Sequence, residues 1–87
     1  MLDLTFSRHA SRFLEKTERI TAKRIIDAAK ALPMDPFPRD VKRVENQWFE
    51  NEKVFRIRVG DYRVLYTVNY TKNRILIFSI DKRSRVY

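Results

Sequence analysis

A chain of 87 residues with 44% hydrophobic content can close one two-layer core but not two, so a single domain over residues 1–87 is expected. It has no cysteine and one histidine, His9, which excludes disulfide staples and a thiolate zinc site. No stretch approaches the roughly 20 apolar residues of a membrane span, and no basic-then-apolar leader opens the chain, so a reducing, cytoplasmic setting without a membrane partner is expected. Nineteen Lys and Arg against eleven Asp and Glu give a net charge of +8, which predicts affinity for polyanions, although a heat-adapted surface has the same composition.

Leu2, Leu4 and Phe6 alternate with Asp3 and Thr5, the pattern of a short half-buried strand. Ser7 is placed to cap a helix running to about Lys16, with Ala10, Phe13 and Leu14 on its buried stripe. A second helix is predicted from about Thr21 to Leu32, burying Ile25, Ile26, Ala29 and Leu32, and the two should pair as a helical hairpin. Pro33, Pro36 and Pro38 then end it, because proline lacks an amide donor and restricts its predecessor. Beyond that stiff connector, Val41 to Val44 reads as a short extended piece. Trp48, inside the polar segment 45–53, is expected to pack on the sheet or under the helices rather than to offer a platform for bases.

Val-Phe-Arg-Ile-Arg-Val and Tyr-Arg-Val-Leu-Tyr alternate apolar and cationic residues on either side of Gly60-Asp61. Two period-two runs joined by two turn-forming residues predict a hairpin, and glycine at the first loop position suits a type II′ turn. A two-residue loop sets Val59 against Tyr62, Arg58 against Arg63, Ile57 against Val64 and Arg56 against Leu65. Alternation then sends Phe55, Ile57, Val59, Tyr62, Val64 and Tyr66 to the core and Arg56, Arg58 and Arg63 to the other face. Arg58 opposite Arg63 is destabilising unless an anion sits over the pair. Tyr70 to Asn73 turns the chain into a last strand, Arg74 to Ile80, apolar on both faces and therefore without a legible register.

The resulting plan is α+β: an N-terminal strand, a two-helix hairpin, then a three-stranded antiparallel meander, with the helices on one face of a mainly antiparallel sheet. The opposite face is expected to be open to solvent. Arg56, Arg58 and Arg63 on that face, with Asp81-Lys82-Arg83-Ser84-Arg85-Val86-Tyr87 following the last strand, gather guanidiniums and one phenol. Guanidinium forks suit phosphate oxygens and the extra charge of a phosphorane. A merely solvated basic face is the structural alternative.

Phe-Arg-Ile-Arg-Val-Gly-Asp-Tyr-Arg-Val-Leu-Tyr, followed by Ile-Phe-Ser-Ile-Asp-Lys-Arg-Ser-Arg-Val-Tyr, resembles the C-terminal signature of the RelE/ParE superfamily of toxins from prokaryotic toxin–antitoxin pairs. The specific matches lie in Val54 to Tyr87, while the layout of the whole chain is similar. For RelE-like members the resemblance implies a ribosome-dependent endoribonuclease that cleaves messenger RNA in the decoding site by attack of a ribose 2′-hydroxyl, without metal or cofactor. It also implies a cognate antitoxin that covers the basic surface. Carried over residue by residue, Arg56 and Arg58 stand at two basic positions before the turn, Arg63 after it, Arg83 after the last strand and Tyr87 near the C-terminus. Lys82 and Arg85 add phosphate-binding charge, and Arg85 competes with Arg83 for its role. Two readings stand beside this one: a ParE-like, non-nucleolytic toxin that binds DNA gyrase, and a basic module that only docks nucleic acid or an acidic peptide.

Arginine stands at residues 56 and 58 where well-known members have lysine, and a guanidinium is effectively always protonated. The arginines can therefore stabilise charge but not accept a proton. Tyr87 is the acceptor this reading favours, with Glu50 or Glu52 as alternatives and His9 too remote in sequence.

Overall fold

The computed structural model describes residues 1–82; Arg83, Arg85 and Tyr87 lie outside the described residues. In chain order the elements are β1 (Asp3–Phe6), α1 (Arg8–Lys16), α2 (Arg19–Ala31), β2 (Lys42–Phe49), β3 (Glu52–Val59), β4 (Tyr62–Asn69) and β5 (Arg74–Lys82). The strands form one five-stranded sheet in the order β1-β5-β4-β3-β2. Strand β1 runs parallel to β5 and the remaining pairs are antiparallel.

The predicted hairpin forms in the predicted register, from Val59 opposite Tyr62 through Arg58 opposite Arg63 to Phe55 opposite Tyr66. Gly60 has φ +60 while Asp61 is not among the positive-φ residues, which identifies a type II′ rather than a type I′ turn. A methyl group at residue 60 would meet only Arg24 Nη1, at 3.9 Å, so space is ample and the backbone alone demands glycine. Gly60→Ala is expected to lower the unfolding free energy by about 1–3 kcal/mol, read by urea denaturation, with the native near-ultraviolet signal retained.

Ser7 starts α1 as expected: its Oγ accepts from the Ala10 amide at 3.1 Å and donates to the Phe78 carbonyl at 3.0 Å. The hydroxyl thus ties the helix start to β5. Helix α1 lies against β5 and β1, whereas α2 lies against β3. Ala10 of α1, Ile25 and Ala29 of α2, and Leu32 just beyond it are buried against Ile57, Val64, Tyr66, Ile75, Ile77 and Ile80 of the sheet. Phe13 packs edge-on to Tyr62 at 5.4 Å between ring centroids. No helix among the described residues is long and apolar enough to cross a membrane.

Three differences from the sequence reading have local causes. The extended piece expected at Val41 to Val44 is an eight-residue strand, β2, so the meander has four strands. Its alternation was illegible because the register shifts between Arg43 and Trp48, where Asn46 takes φ 58. Glu50 and Asn51, at φ 51 and 65, then form the tight turn into β3.

Strand β5 also extends two residues further than expected, to Lys82, and is apolar on both faces because it is interior, between β1 and β4. A bulge at Phe78 shifts its register: Tyr66 faces Ile77, but Leu65 faces Ser79. Without that extra residue, Ile75 and Ile77 in the core would carry Ser79 and Asp81 inward with them. The bulge instead sends Ile80 inward and turns Ser79 and Asp81 to the opposite face.

That opposite face is only partly open. Val54 is 0% exposed and Thr67 3% exposed, although both lie on it. Phe49 of β2 and Phe78 stack there at 4.1 Å with an interplanar angle of 5°, forming a small second apolar layer at one end.

Candidate cationic cleft on the open sheet face

At the Gly60 end of the sheet, the two registers align a row of side chains across three strands: Arg58 of β3, Arg63 of β4 and Asp81 of β5. The next row places Lys42 of β2 beside Arg56 of β3, with Leu65 and Ser79 beyond. The charged members of both rows are cationic except Asp81. Arg56 and Arg63 are half-buried, and together with Val44, Gln47, Leu65 and Asp81 they line a cleft of about 210 Å³.

A cleft lined by two arginines and Leu65 can hold a phosphodiester by forked hydrogen bonds beside an apolar side chain. Strand β2 forms one wall, contributing Val44 and the Gln47 amide.

The predicted residues are not all brought together. Arg58 shares the open face with Arg63 but is exposed, and it borders a separate apolar depression with Ile57, Leu32, Asp35 and Asp40. Strand β2 begins only opposite Arg56, so no strand pairs with Arg58 on that side. Lys82 pairs with Tyr62 and lines a cleft with Arg24, Thr21 and Asp61, on the helix side of the sheet. The two lie on opposite faces, which separates Lys82 from Arg56 and Arg63.

The alternative acceptors are also remote. Glu52 accepts from Asn69 Nδ2 at 2.9 Å, and Glu50 pairs with Arg74 at 3.3 Å. Both hold the far end of the sheet, about 20 Å from Arg58 at six residues of strand rise. Tyr66 is wholly buried and Tyr62 partly so, as the core assignment requires. Trp48 departs from expectation: it is 58% exposed on edge strand β2, with the Arg43 guanidinium 5.4 Å from its ring centre. Its register opposite Lys53 puts it on the helix-side surface rather than beside Arg56.

Asp81 is the cleft residue that sequence reasoning missed. It reads as the first residue of a basic tail, and its position beside Arg63 depends on the bulge at Phe78 and on β5 running to Lys82. The Ser79 hydroxyl donates to Asp81 Oδ2 at 2.9 Å.

Comparisons with known proteins agree with this architecture. A toxin assigned as RelE1 in Methanocaldococcus jannaschii is 31% identical over 65 residues, covering 75% of this chain and 68% of that protein. The archaeal RelE–RelB complex from Pyrococcus horikoshii superposes with a TM-score of 0.82 at 24% identity, covering 98% of each chain. The toxin–antitoxin complex RelBE2 from Mycobacterium tuberculosis gives 0.74 at 25% identity over 94% of this chain and 98% of that one. The isolated Escherichia coli RelE toxin gives 0.73 at 18% identity, over 98% of this chain and 87% of that one. The family model for the ParE toxin of the type II toxin–antitoxin system parDE matches residues 4–87. The chain accordingly belongs to the RelE/ParE superfamily, as a toxin of a type II toxin–antitoxin system.

Proposed function

We propose that this toxin is a ribosome-dependent endoribonuclease that cuts messenger RNA by attack of a ribose 2′-hydroxyl on the adjacent phosphate, without a metal ion. The observation that carries the reading is the cleft itself, which Arg56 and Arg63 line together with Leu65. Two guanidiniums there would hold the scissile phosphate and offset the charge gained in the phosphorane. Arg58 adds positive potential at the rim, and Arg83, Arg85 and Tyr87 follow β5 in sequence. A messenger threaded through the decoding site presents single-stranded phosphates to such a face, which a folded duplex does not.

By analogy with the RelE–RelB complexes, a cognate antitoxin would bind this toxin, and the net charge of +8 favours an acidic segment in it. A cytoplasmic site of action follows from the ribosomal target.

The test is a translation extract supplied with the protein, with the 5′ ends of the message mapped. Cuts inside codons that require ribosomes are the expected result. An uncut message alongside inhibited gyrase supercoiling would overturn this reading in favour of the gyrase-binding one.

A further inference from the structure

A 2′-hydroxyl attacks a phosphate only as its proton leaves, and no guanidinium on this face can take that proton. Asp81 is the one carboxylate among the described residues lining the cleft of Arg56 and Arg63. Its place is built by three features: the strand extension, the Phe78 bulge, and direct cross-strand pairing with Arg63. Directly paired residues of an antiparallel sheet hold their Cβ atoms about 4.5–5.5 Å apart. A phosphate on Arg63 therefore brings the ribose attached to it within reach of Asp81.

The carboxylate is oriented but not consumed. Ser79 Oγ holds Oδ2, and among the described residues no Lys or Arg nitrogen comes within ion-pair distance of Asp81. An ion pair with Arg63 would be the structural use of this position, and it is not made. A base within reach of the reacting atoms and aligned by a third group is the arrangement that activated hydroxyls require.

On the endoribonuclease reading above, we propose that Asp81 is the catalytic base of the cleavage. The Asp81 carboxylate removes the 2′-hydroxyl proton, and the oxygen's electron pair forms the bond to phosphorus. The bond from phosphorus to the 5′ oxygen breaks with its electron pair, and that oxygen takes a proton from water. The products are a 2′,3′-cyclic phosphate and a 5′-hydroxyl, and Asp81 returns its proton to solvent. Arg63 and Arg56 hold the non-bridging oxygens throughout.

The charged groups that share the open face with Asp81 at this end of the sheet are Arg63 from β4, Arg56 and Arg58 from β3, and Lys42 from β2. The test is single-turnover cleavage on programmed ribosomes across pH 5 to 9, at saturating toxin, for the wild type, Asp81→Asn, Asp81→Glu and Tyr87→Phe. Asp81→Asn is expected to slow cleavage by about 10²–10⁴-fold while still co-sedimenting with ribosomes, and to lose the acid-side fall in rate. Asp81→Glu should recover part of the rate and restore that fall. Circular dichroism melting of each variant shows that it is folded. Cleavage by Asp81→Asn at or above the wild-type rate with the same pH profile would overturn the assignment, as would loss of activity in Tyr87→Phe alone. A wild type that cuts nothing on ribosomes removes the endoribonuclease reading itself, an outcome distinct from an active wild type with an active Asp81→Asn.

Discussion

Replacing Arg63 with glutamine is expected to lower ribosome-dependent cleavage by about 10²–10³-fold, the cost of removing one preorganised charge from a developing oxyanion. Arg63 is the best placed of the three arginines for that loss. It is half-buried on an interior strand, it lines the cleft, and it is paired across the sheet with both Arg58 and Asp81. Arg58 is exposed at the rim, so Arg58→Gln should cost much less activity.

Stability should move differently for the two. Arg58 faces a like charge and has no acidic cross-strand partner, so neutralising it should stabilise the free toxin by about 0.2–1 kcal/mol. Arg63 stands between a repelling Arg58 and an attracting Asp81, and the two effects oppose, which predicts a nearly unchanged melting temperature for Arg63→Gln. The pairing with Asp81 is what sets Arg63 apart from Arg58. Cleavage kinetics and thermal melting of both variants check this. Full activity in Arg63→Gln would remove the cleft from the mechanism.

Tyr66→Ala should cost about 3–5 kcal/mol, a large part of the margin of a domain this size, and should leave little folded protein at 37 °C. Tyr66 is wholly buried at the centre of the sheet, opposite Phe55 and Ile77, with its ring 6.0 Å from that of Phe55. Its hydroxyl donates to the Pro36 carbonyl at 2.7 Å and so anchors the proline connector to the core. Phe37, next to that carbonyl, packs edge-on against Phe55 at 4.9 Å.

Tyr66→Phe isolates the hydroxyl, and leaving the Pro36 carbonyl without its donor should cost about 1–3 kcal/mol. The phenol also supplies a pH signature. Burial raises its pKa well above the usual tyrosine value, and the charges of Asp35 and Asp40 raise it further. The folded state therefore keeps a proton that the unfolded chain gives up near pH 10. Below that pH the contribution is fully present; above it the unfolded state binds fewer protons, and stability falls as pH rises. Urea denaturation of the wild type at pH 8 and pH 11 should show this loss, and the loss should be smaller in Tyr66→Phe. An identical alkaline loss in both would assign it to other groups.

The parts legible from sequence share one property: their pattern is local. The β3–β4 register followed from Gly60-Asp61 and six alternating residues, because a two-residue loop leaves one pairing. The start of α1 at Ser7 followed from one hydroxyl beside a 3.6-residue stripe. Strand β2 was not legible because its bulge and its polar edge position break the alternation. Trp48 was misassigned for the same reason, since a residue on an edge strand with a shifted register has no face that pattern can assign. The separation of Lys82 from the arginines was hidden too, because strand ends and faces beyond a bulge are set by the neighbouring strands.

The fold class, the core face of the hairpin and the three arginines on its other face were legible in the residues alone, since each follows from periodicity within a few consecutive residues. Tertiary structure alone decided which of those arginines share a cleft and what stands beside them. Strand β2 had to fold back to wall in Arg56, and Phe78 had to bulge to bury Ile80. One inserted residue in β5 inverts the faces of everything after it, and that inversion carries Asp81 from the core side to Arg63.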